Sequence, residues 1–101
     1  MIVEQIRYFL SDTERVHVLE ARRTIDRLRQ EAGVPSGTIL IADEDDDGPD
    51  LIWQCGYEDE GQLGMAEAVL LGNPDYEKAR ADLAALVSKA ELGIYIADDQ
   101  S

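Results

Sequence analysis

Apolar positions along the chain follow two rhythms, one of period two and one of about three and a half. From Ile2 to Leu10, one parity gives Ile2, Glu4, Ile6, Tyr8 and Leu10, and the other gives Val3, Gln5, Arg7 and Phe9. The alternation predicts a strand whose first, mostly apolar set packs on helices and whose second set is mixed. Glu4 is the one carboxylate on the apolar side. Ser11-Asp12-Thr13-Glu14 has the spacing of a capping box and predicts a helix from about Asp12 to Ala32. Within it Val18, Ala21, Ile25, Leu28 and Ala32 recur at spacings of 3, 4, 3 and 4 and form one apolar stripe. Arg22, Arg23, Asp26, Arg27, Arg29 and Gln30 are left for a solvated face. Gly33 suits the left-handed position after the helix, and Pro35 prevents its continuation.

The middle of the chain changes rhythm. Two short apolar runs, Ile39–Ala42 and Leu51–Tyr57, flank eight residues that hold six carboxylates, Gly48 and Pro49. Strand-length apolar runs around turn-forming residues predict a β-hairpin. Asp59 or Glu60 then opens a helical stretch through Leu71, weakened by Gly61, Gly64 and Gly72. Gly72-Asn73-Pro74-Asp75 is a restart signal, with Asn73 as N-cap and Pro74 at the first helical position. The last helix is expected to reach about Lys89, with Tyr76, Ala79, Leu83, Leu86 or Val87, and Ala90 buried. Leu92, Ile94 and Ile96 alternate as a final strand.

The order strand, helix, strand, strand, helix, strand predicts one α+β domain over residues 1–101. It is the ferredoxin-like βαββαβ arrangement, four antiparallel strands with both helices on one face. Two helices cover only one side of such a sheet. By one assignment of parity the other side carries Trp53, Cys55, Tyr57 and Tyr95, too apolar to leave wet. A homodimer through that open sheet face is therefore expected.

Charge narrows the partners. The chain has 22 acidic and 9 basic residues, a formal charge of −13, which repels nucleic acid and anionic membranes alike. The single Cys55 excludes an internal disulfide and a Cys-based zinc site. MIVEQIRYFL has no basic region ahead of its apolar residues and is interrupted by Glu4, Gln5 and Arg7. It is expected to be neither a signal peptide nor a membrane span, and the protein is expected in the cytoplasm.

The opening MIVEQIRYFL, with Glu4 and Tyr8 on one strand, resembles that of NIPSNAP-like proteins, as does LLGNPDYEKARADL before and within the last helix. These belong to the dimeric α/β-barrel superfamily, which also includes antibiotic-biosynthesis monooxygenases. The chain departs from that opening at Ile6, where the family tends to have an Arg. The resemblance implies two subunits pairing their sheets, with a small cavity in each half, and no single chemistry.

Few residues offer chemistry. Glu4 and the only imidazole, His17, are the candidate catalytic groups; Tyr8, Trp53, Tyr57 and Tyr95 are the candidate ligand-binding aromatics. Asp43-x-Asp45-x-Asp47-Gly48 matches the opening of a calcium loop, but Gln54 stands where the bidentate Glu belongs, so no metal is expected. No phosphate-binding glycine loop, triad motif or nucleotide fingerprint is present, and no cofactor is expected. Three functions remain open. The first is a NIPSNAP-like barrel protein binding a small apolar or aromatic molecule. The others are a cofactor-independent monooxygenase or isomerase acting on a polyketide-like or aromatic substrate, and a non-catalytic regulatory module.

Overall fold

The computed structural model describes residues 1–11, 13–43 and 47–98. Four strands, β1 (Ile2–Phe9), β2 (Thr38–Ile41), β3 (Leu51–Tyr57) and β4 (Lys89–Ile96), form one sheet in the order β2-β3-β1-β4. Every neighbouring pair is antiparallel. This is the ferredoxin-like topology, with β1 and β3 in the middle. Between the strands lie α1 (Arg15–Glu31), α2 (Glu60–Leu71) and α3 (Pro74–Leu86).

The helices begin and end for local reasons. α1 starts later than the capping box implied: Glu14 is the N-cap and makes no side-chain cap bond, and Asp12 lies outside the described residues. At the other end Gly33 has φ 77° and donates to the Gln30 carbonyl, while Val34 donates to that of Arg29. These bonds close the last turn as a left-handed glycine allows. The second helical stretch is two helices. Asp59 caps α2 by accepting from the Gln62 amide, and Asn73 Oδ1 accepts from the amides of Asp75 and Tyr76 at 3.0 and 3.3 Å. Pro74 at the first turn has no amide to continue α2. α3 stops at Leu86, short of the expected Lys89, because β1 claims the chain that follows. Ser88 donates to the Phe9 carbonyl, and Lys89 and Ala90 pair with Phe9 and Tyr8. Ala90 is thus a strand residue, and not part of the helical stripe.

Register decides the faces. Directly opposed residues of an antiparallel pair share a side, and Ile2, Glu4, Ile6 and Tyr8 stand opposite Tyr57, Cys55, Trp53 and Leu51. The core joins this side to α1, α2 and α3 through Val18, Ile25, Ala66 and Leu83. The expected placement of Trp53, Cys55 and Tyr57 on the open side is therefore corrected: all three lie under the helices, 1–2% exposed. The open side instead carries Val3, Gln5, Arg7, Phe9, Leu40, Ile52, Gln54 and Tyr95. Of the expected open-side residues only Tyr95 is there, opposite Val3.

Helical cover is uneven. Leu92, Ile94 and Ile96 of β4 share the side of Ile6, Glu4 and Ile2, yet they are 65%, 50% and 82% exposed. The helices lie over β1 and β3 and leave the edge strand β4 bare.

Gly37 is where the chain crosses closest to the indole. A Cβ there would meet Trp53 Nε1 and the Gln54 carbonyl oxygen, the latter at 2.6 Å. Backbone on one side and a fully buried ring on the other cannot give way cheaply. Gly37→Ala is expected to cost about 1–3 kcal/mol, seen as a lower thermal midpoint.

Candidate functional site

Between the sheet and α2 and α3, on the side nearer β4, lies a cavity of about 560 Å³. Its walls include Ile6, Ile25, Trp53, Leu70 and Leu83, with Glu4, Tyr8, Arg22, Arg29 and Tyr57 among its polar groups. An apolar concavity with a few convergent polar groups is the usual form of a small-molecule site.

Two arginines of α1 organise it, and neither is solvated. Arg22 is 4% and Arg29 3% exposed, which overturns their placement on the wet face of the helix. Val18, Arg22, Ile25 and Arg29 follow one another at spacings of 4, 3 and 4, so they form a single inward row. Arg22 Nη1 donates to Tyr8 Oη at 3.0 Å and Nη2 to Asp26 Oδ1 at 3.1 Å. The same Asp26 oxygen accepts from Trp53 Nε1 at 2.9 Å. The guanidinium carbon of Arg22 stands 3.9 Å from the Trp53 ring centroid, and that of Arg29 stands 5.0 Å away. Cation–π attraction is strongest over tryptophan and in desolvated settings such as this.

Arg29 anchors a second chain of contacts. Its Nε donates to the Pro35 carbonyl at 2.9 Å and its Nη2 to Tyr57 Oη at 2.7 Å. Tyr57 in turn donates to Glu4 Oε1 at 2.9 Å. The phenol is thus held neutral between a cation and a carboxylate. Burial raises the Tyr57 pKa well above its usual value; the nearby Arg29 opposes that rise and Glu4 adds to it. Burial likewise raises Tyr8, against the opposing effect of Arg22. Cys55 sits behind this chain with its sulfur 3.6 Å from the Pro35 and Ser36 carbonyl oxygens.

Of the candidate residues, Glu4, Tyr8, Trp53 and Tyr57 all line the cavity. Tyr95 does not join them: it lies across the sheet, its ring folded over Gly93, where a Cβ would come within 2.6 Å of Tyr95 Oη. His17 is on the outer surface of α1, its side chain 59% exposed and 3.9 Å from Glu14. In the acidic loop Asp43 and Asp47 are exposed, and Asp45 lies outside the described residues. Among the described residues no group of three His, Cys, Asp or Glu side chains is placed to hold a metal ion.

The fold has known counterparts. A NIPSNAP domain protein from Burkholderia xenovorans superposes with a TM-score of 0.78 at 12% identity, over 100% of this chain and 98% of that one. The chain has the fold of NIPSNAP proteins. A NIPSNAP family protein from Agrobacterium tumefaciens gives 0.73 at 20% identity, over 99% of this chain and 88% of the other. SnoaB, a cofactor-independent oxygenase from Streptomyces nogalater, gives 0.74 at 16% identity, over 99% and 94%. No family model matches the sequence, and no curated protein matches it. At these identities the likeness is one of fold.

The raised tyrosines give a pH dependence. Unfolded tyrosine releases its proton near the model value of 10.0, while Tyr8 and Tyr57 in the folded chain hold theirs to higher pH. The unfolded state then binds fewer protons than the native one, so stability falls as pH rises from 10.0 toward the folded values. The contribution is fully present below pH 10.0. Tyr57→Phe is expected to flatten this alkaline slope in denaturant titrations. At neutral pH it is expected to cost about 1–3 kcal/mol, since Arg29 and Glu4 both lose a buried partner.

Proposed function

We propose that the protein is a NIPSNAP-like dimeric barrel protein that binds a small apolar or aromatic molecule between its sheet and its helices. The observation that carries this reading is the cavity of about 560 Å³, apolar along most of its wall and polar where Glu4, Tyr8, Arg22, Arg29 and Tyr57 converge. Its size suits a drug-sized ligand. Dimerisation is supported by the open side of the sheet, where Val3, Phe9, Leu40, Ile52 and Tyr95 would otherwise face water. No described helix is long and apolar enough to cross a membrane. The compartment we propose is the cytoplasm.

One observation favours a second reading, a cofactor-independent oxygenase or isomerase. Glu4 Oε1 is held by Tyr57, and its second oxygen has no partner among the described residues although the side chain lines the cavity. A positioned carboxylate in an apolar cavity can take a proton from an acidic C–H or O–H of a bound molecule.

The test is a panel of apolar and aromatic compounds screened by thermal shift and by quenching of Trp53, the only tryptophan. Ligands of the native state raise the midpoint by mass action. At least one compound is expected to raise it by several degrees and quench the indole; a silent panel removes the binding reading. Sedimentation is expected to give twice the 11.2 kDa of one chain, and a monomer removes the dimer. Oxygen uptake with the bound compounds and no added cofactor tests the second reading. There Glu4→Gln is expected to lower turnover by about 10²–10⁴-fold while leaving binding in place.

A further inference from the structure

We infer that the molecule held in the cavity is an acid, with its apolar body against the walls and an ionised carboxylate at Arg29. This rests on the binding reading above and adds the ligand's charge to it. A guanidinium carries five N–H donors and does not lose its proton inside a protein. Arg29 is 3% exposed, and its Nε and Nη2 are engaged by Pro35 and Tyr57. Its third nitrogen, Nη1, has no hydrogen-bond partner among the described residues. The side chain lines the cavity, and Nη1 is not sealed from water as Arg22 Nε is.

Nor does a carboxylate of the described residues pair with Arg29 directly. Arg22, its neighbour in the row, has Asp26. Glu4 reaches Arg29 only through the Tyr57 hydroxyl, and Glu67, the other acid of the lining, is on the exposed side of α2. A buried cation is costly without a counter-ion and a full set of acceptors. An anionic oxygen in the cavity supplies both. With Nε and Nη2 already engaged, the open edge of Arg29 suits a singly charged planar group and offers too few donors for a phosphate dianion.

The experiment compares octanoate with octan-1-ol, which share a chain and differ in charge, by calorimetry and by Trp53 fluorescence at neutral pH. Octanoate is expected to bind at least roughly tenfold more tightly, as a charge-assisted bond to a buried group implies. In Arg29→Gln the preference for octanoate over octanol is expected to disappear, whatever happens to the affinity the two share. The comparison in the unmodified protein decides the matter even if the variant fails to fold. Octanol binding as tightly as octanoate would overturn the charge assignment and leave the cavity reading standing. If neither compound binds and the wider panel is also silent, both fall together.

Discussion

The stacking of two buried guanidinium groups against Trp53 is the constraint on which the rest of this structure depends. Burying a cation is unfavourable by several kcal/mol unless most of its donors are met, so the partners of these two arginines outside α1 constrain how the helix lies on the sheet, even though Arg22 Nε is left without one. Arg22 must reach Tyr8 while covering the indole, and Arg29 must reach Pro35 and Tyr57. Those demands fix the helix along its length, since Arg22 and Arg29 are seven residues, or two turns, apart. Gly37 belongs to the same arrangement, because the chain after α1 must pass the indole with no side chain between.

The cavity follows from where this seam lies. α1 is committed to β1 and β3, and α3 packs beside it, ending where Ser88 bonds to Phe9. Neither helix then covers β4, whose Leu92, Ile94 and Ile96 remain exposed. The space between the helices and the sheet opens on that side. The polar chains that hold α1 form its inner wall, so the groups that position the helix are also the ones a ligand would meet. Stability and the proposed recognition would therefore draw on the same side chains here, and a change at Tyr57 would touch both.

Much of the architecture was legible because it is written in local chemistry. The strand alternation of β1, the glycine and proline after α1, the acidic turn before Leu51 and the Asn73-Pro74 restart each act within a few residues. Their positions locate the elements to within a turn. The faces were harder. Whether Trp53 looks toward the helices depends on its pairing with Ile6, forty-seven positions away, and an alternating run such as Leu51–Tyr57 is equally consistent with either side. Arg22 and Arg29 were missed for a different reason. Arginine is rarely buried, so a stripe built from apolar residues leaves it out. Their spacing with Val18 and Ile25 was the available signal. His17 drew attention by being the only imidazole, a fact of composition that says nothing about where α1 points it.

The site also stands in opposition to its surroundings. The chain carries a formal charge of −13, yet Arg29 places a positive charge with no directly paired carboxylate in the wall of the cavity, beside an Arg22 already paired with Asp26. Long-range repulsion acts on any anion approaching the surface and weakens as salt screens it. Inside, where the effective dielectric is lower, short-range attraction to a guanidinium outweighs that distant field. The acidic exterior would slow an acid's entry and the interior would hold it, so discrimination rests with the wall. Arg29 is part of that wall, in the same contact set that holds α1 to the sheet, and it cannot be relaxed without loosening the seam.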